Sequence, residues 1–321
     1  MKEIKLIKNR SDIGAGTRGS DLGVDAIEIA AINQDDDYFN LYSFEDVETE
    51  NETIYNKVKN SFAKRIESVY NVCTRLSNSV EKSLKENQYP IVLSGDHSSA
   101  LGTISGIKAA YPDKTLGVVW VDAHADIHSP YTSPSGNIHG MPLAAALSSD
   151  NLKYKVNEVS KETAILWDKM KNIGVEGSKV AYDHVVYFGV RDTEEPEDGV
   201  IADENIKNYT VEEIRFRGFK VCLDEAIERL KDCDMIYVSF DVDSMDCDMI
   251  SDGTGTPVPK GFDINEVKEI IHTFIKTGKT KCFEVVEVNP TLDHKGNRMA
   301  EAAFDVLRAT TESINKVMLQ Q

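Results

Sequence analysis

The amino-acid sequence predicts an α/β fold, a single domain over residues 1–321 with a central, mostly parallel sheet. Short apolar runs rich in β-branched and aromatic residues recur along the 321-residue chain, and helical patterns separate most of them. These runs are continuous instead of alternating, which indicates strands that are covered on both faces. Strands and helices that alternate in this way favour a mostly parallel sheet. No Gly/Ser-rich or Pro-rich linker and no fixed-period repeat divides the chain into smaller units.

The composition indicates a globular protein and argues against several classes of partner. Hydrophobic residues make up 41% and charged residues 28% of the chain, which is enough apolar material for a packed core. The 36 Lys and Arg residues against 54 Asp and Glu residues give a formal net charge of -18. Such a charge repels nucleic-acid phosphates and anionic membrane surfaces, and it attracts cationic small molecules.

The N-terminal segment and the cysteines favour a cytoplasmic protein. The segment MKEIKLIKNRSD alternates charged and apolar side chains and lacks the apolar core of a secretory signal. No stretch approaches the roughly 18 apolar residues of a membrane span. The five cysteines are scattered and show no CxxC spacing, which favours reduced thiols in the cytosol.

The first elements along the chain are predicted to be a loop and a helix. The acidic stretch at residues 35–52 has the pattern of a solvated surface loop. At residues 54–84, apolar side chains recur every three or four positions, which predicts one long amphipathic helix or two in sequence. Apolar runs predict strands at 90–93, 117–121, 185–190, 235–240 and 282–286. Helical patterns lie around 98–111, 160–173, 222–231, 263–277 and 298–318.

Acidic side chains and histidines directly follow four of these strands. Ligands bind beyond the carboxyl ends of the strands in sheets of this type, so these residues mark the expected site. Carboxylates gathered at one sheet edge destabilise a fold unless a cation or a proton compensates them. The four segments are Gly95-Asp96-His97, Asp122-Ala123-His124-Ala125-Asp126, Asp241-Val242-Asp243 and Glu287-Val288-Asn289-Pro290.

The ligand types in these segments favour a pair of divalent cations. Alternate residues of a strand end point to one side, so Asp122, His124 and Asp126 converge. The same holds for Asp241 and Asp243. With the histidine of the first segment, the set holds four carboxylates and two imidazoles, and four negative charges balance two divalent cations. Carboxylate-rich ligation favours Mn²⁺ over Zn²⁺, with Co²⁺ or Fe²⁺ as alternatives, and the lack of cysteine disfavours structural zinc. A single strand-end Asp is more often a turn residue or a helix cap, so the prediction depends on the motifs occurring together.

As a set, these motifs resemble the ureohydrolase family, which comprises the arginases, agmatinases and formimidoylglutamases. The resemblance implies a single three-layer α/β/α domain with a central, mostly parallel sheet. It extends more weakly from Gly14 to the final helix. Residues 135–142 (SGNIHGMP) and 287–290 (EVNP) resemble the arginase version of the family, with bacterial arginases the most similar. The segments that carry the resemblance are 95–98 (GDHS), 122–126 (DAHAD), 239–243 (SFDVD) and 253–257 (GTGTP).

The resemblance also implies roles for individual residues and a homo-oligomer, since the family is usually trimeric or hexameric. The implied metal ligands are His97 and Asp126 for one ion, His124 and Asp243 for the other, and Asp122 and Asp241 as bridges. The implied catalytic groups are Glu287 for the guanidinium, His139 as proton shuttle, and Asp243 or another metal-bound carboxylate as proton relay. The implied substrate contacts are Glu287, His128, Ser135, Asn137, Asp192, Glu194 and Thr256, of which Ser135 and Asn137 would hydrogen-bond the α-carboxylate.

Three features depart from the arginase pattern. His128 stands where arginases typically have Asn, and Glu194 stands where they typically have Asp. Both positions concern recognition of the substrate tail. The segment at residues 162–177 is longer than the family pattern and resembles an insertion in some bacterial arginases.

The expected reaction is the hydrolysis of L-arginine to L-ornithine and urea. The guanidinium carbon is resonance-stabilised and resists bulk water, whereas a water that bridges two cations is acidified and presented as hydroxide. Glu287 would orient the guanidinium through a charge-assisted pair. His139, with a pKa naturally near neutrality, would protonate the departing amine or return protons to solvent.

Several alternatives stay open at the level of sequence. The nearest is another ureohydrolase substrate, agmatine or formimidoylglutamate, and a more distant one is a metal-binding but inactive regulator. The complete set of implied ligands, together with His139 and Glu287, disfavours inactivity. The alternative for two of the residues is a purely structural role, with His139 capping a loop and Glu287 forming a structural ion pair. A nucleotide-binding α/β protein is disfavoured because no GxGxxG or GxxxxGK[ST] follows the first strands.

Overall fold

The computed structural model describes residues 2–320 and contains one sheet of eight parallel strands. In chain order the strands are β1 (Glu3–Asn9), β2 (Ser43–Asp46), β3 (Gln88–Ser94), β4 (Leu116–Val121), β5 (Val185–Phe188), β6 (Lys207–Tyr209), β7 (Met235–Asp241) and β8 (Thr280–Val286). Across the sheet their order is β2-β1-β3-β8-β7-β4-β5-β6. The predicted parallel sheet is therefore confirmed, and the five strands that the apolar runs predicted are all present.

Helices cover both faces of the sheet. Within the described chain they are α1 (Gly23–Asn33), α2 (Tyr38–Leu41), α3 (Ile66–Lys85), α4 (Ala100–Ala110), α5 (Pro142–Ala146), α6 (Lys161–Lys171), α7 (Glu195–Asp203), α8 (Val211–Arg217), α9 (Phe219–Arg229), α10 (Ile264–Lys276) and α11 (Arg298–Met318). One hydrophobic core joins α1, α9, α10 and α11 to the sheet, and a second joins α3, α4, α5 and α6 to it. The three-layer α/β/α arrangement is confirmed.

The two cores explain why the central strands have continuous apolar sequences. In β4, Val119 and Val121 belong to the core with α11, whereas Val118 and Trp120 belong to the core with α4. All four side chains are fully buried. A strand that is buried on both faces has no position left for a polar side chain, so its sequence does not alternate.

The strand order brings four strand ends together. β3 lies next to β8, β8 next to β7, and β7 next to β4, so the chain crosses over between β3 and β4 and leaves two late strands between them. All four strands point the same way. Their carboxyl ends therefore meet at one edge, near the point where the strand order reverses, which is where α/β sheets bind ligands.

The helix predicted over residues 54–84 is too long at its N-terminal end. Residues Asn51–Tyr55 form a 3₁₀ turn, residues 56–65 are irregular, and α3 begins only at Ile66. Tyr55 is 91% exposed, so the apolar pattern before Ile66 does not face a core. The irregular segment instead packs beside the chain near Gly136, whose carbonyl accepts the Lys64 N–H at 2.8 Å.

The prediction of a surface loop over residues 35–52 is also wrong in part, because this stretch contains α2 and the edge strand β2. β2 pairs with β1 along one edge of the sheet, and its residues are largely exposed. Four of the acidic side chains form ion pairs, so local charge does not prevent ordered structure here. The pairs are Asp36 with Arg308, Asp46 with Arg10, and both Glu48 and Glu50 with Arg75.

Two further strands, β1 and β6, have no apolar run and escaped prediction. β1 alternates lysines with apolar residues, and its Lys8 is buried beside Glu28 with an Nζ–Oε1 distance of 2.7 Å. β6 is a three-residue edge strand.

All five cysteines are free and buried, in agreement with the predicted reduced thiols. Among residues 2–320, no helix combines the length and the apolar character that crossing a membrane requires.

Candidate metal centre

The site residues predicted from sequence lie at the carboxyl ends of four adjacent strands. Asp122 directly follows β4, and Asp241 is the last residue of β7. His97 begins a 3₁₀ turn after β3, and Glu287 follows β8. Because these strands are neighbours in the sheet, motifs that are far apart in the sequence meet at one edge.

His97 and three aspartates form one half of the candidate centre. The Nδ1 atom of His97 lies 3.0 Å from Asp122 Oδ2, 3.0 Å from Asp126 Oδ2 and 3.1 Å from Asp241 Oδ2. The imidazole and the aspartates are buried. One ring nitrogen therefore faces three converging carboxylate oxygens.

Neighbouring side chains hold the His97 ring in this orientation. Its Nε2 forms a hydrogen bond of 2.8 Å with Ser239 Oγ, and Trp120 stacks on the ring with 4.0 Å between the centroids. The turn that carries His97 is itself anchored, because Ser99 Oγ donates to the buried Glu284 carboxylate at 2.9 Å. The direction of Nδ1 is thus set by groups behind the site.

His124 and Asp243 form the other half, with Asp122 between the two halves. His124 Nδ1 lies 3.0 Å from Asp243 Oδ2 and 3.5 Å from Asp122 Oδ1. Asp122 presents Oδ2 to His97 and Oδ1 to His124. Thr256 Oγ1 donates to Asp243 Oδ2 at 3.2 Å. Two groups, His97 with Asp122 and Asp126, and Asp122 with His124 and Asp243, have the spacing that a metal ion requires.

The donor set fits divalent cations. His97 Nδ1 and Asp122 Oδ2 are buried, yet neither has an aligned hydrogen-bond partner among residues 2–320. If Nε2 donates to Ser239, Nδ1 presents a lone pair to carboxylates, an arrangement that a cation or a proton must compensate. Metal–ligand bonds of about 2.0–2.2 Å separate neighbouring ligand atoms by about 3 Å, which matches these contacts.

Backbone amides donate to one oxygen, Oδ1, of each strand-end aspartate. Burial, followed by the charges of Asp243 and Asp122, raises the pKa of Asp241 well above its ordinary value. Without a cation, the cluster must therefore take up protons. The amide bonds are His124 N–H to Asp122 Oδ1 at 2.6 Å, Asp243 N–H to Asp241 Oδ1 at 2.9 Å and Ala123 N–H to Asp243 Oδ1 at 3.1 Å.

Two site residues have a backbone conformation that L-residues rarely adopt. Asp126 has φ of 49° and Glu287 has φ of 68°, both in the left-handed region. This region costs on the order of 1 kcal/mol or more for a residue other than glycine, so surrounding contacts must maintain it. The Glu287 N–H donates to Gly95 O at 2.7 Å, and Asp126 O accepts the Leu143 N–H at 3.1 Å. The carboxylates are thus held in place at a cost in local stability.

Glu287 and His139 form a pair on the wall of the adjacent cavity. Glu287 Oε1 accepts the His97 N–H at 2.9 Å and lies 3.1 Å from His139 Nδ1. Its Oε2 accepts no hydrogen bond from residues 2–320 and lies beside Gly255, which has no side chain to cover it. Burial lowers the pKa of His139, but the hydrogen bond and charge of Glu287 outweigh burial and raise this pKa to about 9.

A cavity of about 280 Å³ opens above this centre. Every site residue predicted from sequence lines it except His97 and Asp122, which lie buried below it. We call the six implied metal ligands the floor of the cavity: His97 and Asp122 below it, and His124, Asp126, Asp241 and Asp243 on its lining. We call the following lining residues the mouth of the cavity: His128, Ser135, Asn137, Asp192, Glu194, Glu197 and Thr256.

His128 has protein partners at both ring nitrogens. Its Nε2 lies 2.9 Å from Glu194 Oε2, and its Nδ1 lies 3.0 Å from Thr132 Oγ1. The hydrogen bond from His128 lowers the pKa of Glu194 to about 2. His128 and Glu194, the two residues that depart from the arginase pattern, are therefore in direct contact with each other. A direct contact of His128 with substrate stays a prediction.

Glu197 belongs to the mouth, and the sequence analysis missed it. Its Oε2 lies 3.5 Å from His128 Nε2, and only 4% of the residue is exposed. Burial raises the pKa of Glu197 well above its ordinary value. Glu194 and Glu197 form a capping box at the start of α7, with Pro196 in its first turn. The usual signal for such a box is Ser, Thr, Asp or Asn three positions before Glu or Gln, and Glu194 does not match it, so no common signal in the sequence marks Glu197.

Comparisons with known proteins place the chain among similar sequences and folds. A family model described as the Arginase family matches residues 2–311. An arginase of Bacillus subtilis (strain 168) is 33% identical over 310 residues, which cover 96% of this chain and 97% of that protein. The structure of the arginase from Bacillus caldovelox matches with a TM-score of 0.80 at 32% identity, over 97% of this chain and 98% of that chain. A formimidoylglutamase from Bacillus subtilis matches with a TM-score of 0.73 at 18% identity, over 98% of this chain and 87% of that chain, a likeness of fold alone.

Proposed function

The chain belongs to the arginase family and is an arginase-type amidinohydrolase, and from that premise we propose that it hydrolyses L-arginine to L-ornithine and urea. One observation carries the proposal. The two groups of histidine and carboxylate ligands lie at the floor of a cavity whose wall offers an unpaired carboxylate oxygen of Glu287. Such a cavity suits a guanidinium group held directly above two cations.

The floor would hold the two metal ions. We assign His97 and Asp126 to one ion and His124 and Asp243 to the other, with Asp122 and Asp241 as the shared ligands. When bound, two divalent cations supply an acidified water as nucleophile at neutral pH. Carboxylate-rich ligation supports Mn²⁺ as the resident metal, with Co²⁺ as the alternative.

Glu287 would orient the guanidinium. Its Oε1 is already engaged by the His97 N–H and by His139, whereas Oε2 is open. A guanidinium N–H donated to Oε2 forms a charge-assisted hydrogen bond, which is stronger than a neutral one. Orientation of the planar group sets its carbon toward the floor, and a fixed orientation removes part of the entropic barrier.

His139 would supply the proton for the leaving amine. The Glu287 charge keeps its pKa at about 9, so the ring is protonated at neutral pH. Nδ1 faces Glu287, while Nε2 has no protein partner among residues 2–320 and lies on the cavity wall. Proton transfer from Nε2 makes ornithine's amine a better leaving group. About one fifth of the His139 side chain is exposed, which allows a new proton to arrive from solvent.

The mouth would bind the amino-acid tail. Ser135 and Asn137 carry donors for the α-carboxylate, as proposed from the family resemblance. Glu194 carries the negative charge that an α-ammonium requires. Asp192 and Thr256 complete the lining, and Asp192 Oδ2 lies 3.5 Å from His124 Nε2.

Agmatine is the second candidate substrate, and a specific observation favours it. Two carboxylates of the mouth, Asp192 and Glu194, suit a tail that carries only an ammonium group. The same charges oppose formimidoylglutamate, because its tail carries two carboxylates. A metal-binding but inactive regulator is the remaining alternative from the sequence.

Urea release separates these candidates. The purified protein is stripped of metal, loaded separately with Mn²⁺ or Co²⁺, and given L-arginine or agmatine, with formamide release from formimidoylglutamate measured in parallel. We expect urea mainly from L-arginine. Urea from agmatine alone would move the assignment to an agmatinase, and formamide would move it to a formimidoylglutamase. No product from any of the three, with two metal ions bound, would support the inactive regulator.

The remaining proposals concern the cell and the assembly. The family resemblance supports a homo-oligomer, trimeric or hexameric, and mass measurement in solution tests this. The reduced cysteines support a cytoplasmic location, which fractionation of the source cells tests.

A further inference from the structure

We propose that Lys64 is a specificity-determining residue whose ammonium group selects substrates with a carboxylate on the tail. The inference rests on the proposed hydrolysis of guanidino compounds and adds a residue that no motif indicated. It predicts that the enzyme distinguishes L-arginine from agmatine largely through one lysine outside the motif segments.

Lys64 lies directly behind a side chain of the mouth. Its Nζ donates to Asn137 Oδ1 at 3.1 Å, and the Asn137 side chain lines the cavity. Lys64 is half-buried, and no carboxylate in residues 2–320 lies within 4.0 Å of its ammonium. No neighbouring carboxylate therefore neutralises the Lys64 ammonium. Its positive charge is thus available to a ligand.

The charges around the cavity explain why a cation is needed there. Seven carboxylate side chains line the cavity, and no Lys or Arg does. Two metal ions would balance those of the floor, and Glu287 would pair with the guanidinium. The carboxylates of the mouth remain, and they attract an α-ammonium but repel an α-carboxylate. A tail that carries both groups therefore requires a positive charge on the Asn137 side.

The Lys64 contact also orients Asn137. Because the ammonium can only donate, the oxygen of the Asn137 amide faces Lys64 and its Nδ2 faces away. Nδ2 lies against Gly16, where a Cβ would collide with it, so the absence of a side chain leaves room for this donor. A carboxylate bound to Nδ2 is separated from the Lys64 ammonium by the Asn137 amide alone, so the two opposite charges attract each other across one side chain.

The loop that carries Lys64 is fixed by two independent contacts. Its backbone N–H donates to Gly136 O at 2.8 Å, and Gly136 has φ of 71° with the Ser61 carbonyl packed against it. On the other side, Thr163 Oγ1 of α6 donates to Asn60 Oδ1 at 2.8 Å. The segment at 162–177 that departs from the arginase pattern therefore supports the loop that positions Lys64.

The test compares two substrates that differ by one carboxylate. The full-length Mn²⁺-loaded enzyme is assayed with L-arginine and agmatine as wild type, Lys64→Met, Lys64→Gln and Lys64→Arg. Lys64→Gln keeps an N–H donor for Asn137 but removes the charge. Lys59→Met, an exposed lysine on the same loop, controls for the loss of one positive charge.

We expect Lys64→Met and Lys64→Gln to raise the KM for L-arginine about tenfold, with kcat within twofold. That change corresponds to about 1.4 kcal/mol. The KM for agmatine should stay unchanged or fall in both variants. Lys64→Arg should restore most of the preference for L-arginine over agmatine, and Lys59→Met should behave as wild type. High salt should reduce the preference of the wild type and not that of Lys64→Met.

A binding measurement keeps the inference separate from turnover. Calorimetry with L-ornithine and putrescine, which differ by the same carboxylate, should show about tenfold weaker binding of L-ornithine to Lys64→Met and equal binding of putrescine. If Lys64→Met and Lys64→Gln both keep the preference for L-arginine over agmatine, the inference is overturned, whereas the proposed hydrolysis is not affected. Wild-type behaviour of Lys64→Gln alone would also overturn it, because Lys64 would then act by orienting Asn137. Inactive enzyme with the expected binding pattern would refute only the proposed reaction.

Discussion

The floor and the mouth of the cavity both consist of polar and acidic side chains, yet they are built in different ways. The floor stands on the ends of central strands, and its aspartates are at most 8% exposed. The mouth stands on loops and a helix start, and the Glu194 side chain is 55% exposed. The sheet therefore positions the residues of the floor, whereas loops and a helix start, which can vary without disturbing the sheet, position those of the mouth.

Replacement of a shared ligand in the floor should have the largest effect. Asp241 is buried between His97 and Asp243, so Asp241→Ala removes an oxygen that no neighbouring side chain can supply. We expect urea release to fall at least 1,000-fold and the protein to bind fewer than two Mn²⁺ ions. Metal content and the Mn²⁺-dependent rise in Tm provide the measurement. Turnover of Asp241→Ala close to that of the wild type would contradict the assignment of two metal ions.

Replacement of a residue behind the floor should have the next largest effect. Ser239→Ala removes the partner of His97 Nε2 but not a ligand, and such partners typically contribute 10–100-fold to metal affinity. We expect Mn²⁺ affinity to fall by that factor, with activity restored at high metal concentration. Ser77→Ala, a buried serine of α3 away from the site, is the matched control. Equal Mn²⁺ affinity in both variants would show that Ser239 does not orient His97.

Replacement in the mouth should change KM more than kcat. Glu194→Ala removes a carboxylate that faces the cavity, and we expect the KM for L-arginine to rise about tenfold with kcat within twofold. Glu194→Gln, which keeps an acceptor for the start of α7, should raise KM similarly, whereas the exposed neighbour variant Glu195→Ala should not. An unchanged KM would mean that Glu194 does not contact the substrate ammonium.

The smallest expected effect concerns the pair that joins the floor to the wall. Glu287 raises the pKa of His139 from 6.5 to about 9 in the folded protein. The pair therefore stabilises the fold fully below pH 6.5, and this contribution is lost as the pH rises to 9. In metal-free protein, the Tm gap between wild type and His139→Asn should shrink by about 2–4 °C between pH 6 and pH 9.5. A gap that widens over this range would refute the ion pair.

The fold could be predicted where local sequence carries its own structural signal. Continuous apolar runs located β3, β4, β5, β7 and β8, because a strand buried on two faces admits few polar residues. β1 gave no such signal because lysines interrupt its apolar residues, and the edge strands β2 and β6 gave none because they are short and partly exposed. The start of α3 at Ile66 also escaped prediction, because the apolar spacing continues into a segment that packs as a loop.

The residues of the floor could be predicted from the sequence alone. The contacts between side chains of the mouth could be found only in the tertiary structure. Asp122 and Asp241 follow their strands directly, so a parallel sheet must bring them to one edge. The pairing of His128 with Glu194 and Glu197, and the approach of Lys64 to Asn137, depend on how loops more than 60 residues apart pack together. Strand ends are placed by a repeating backbone pattern, which sequence encodes locally. Loop contacts are placed by packing, which only the folded chain defines.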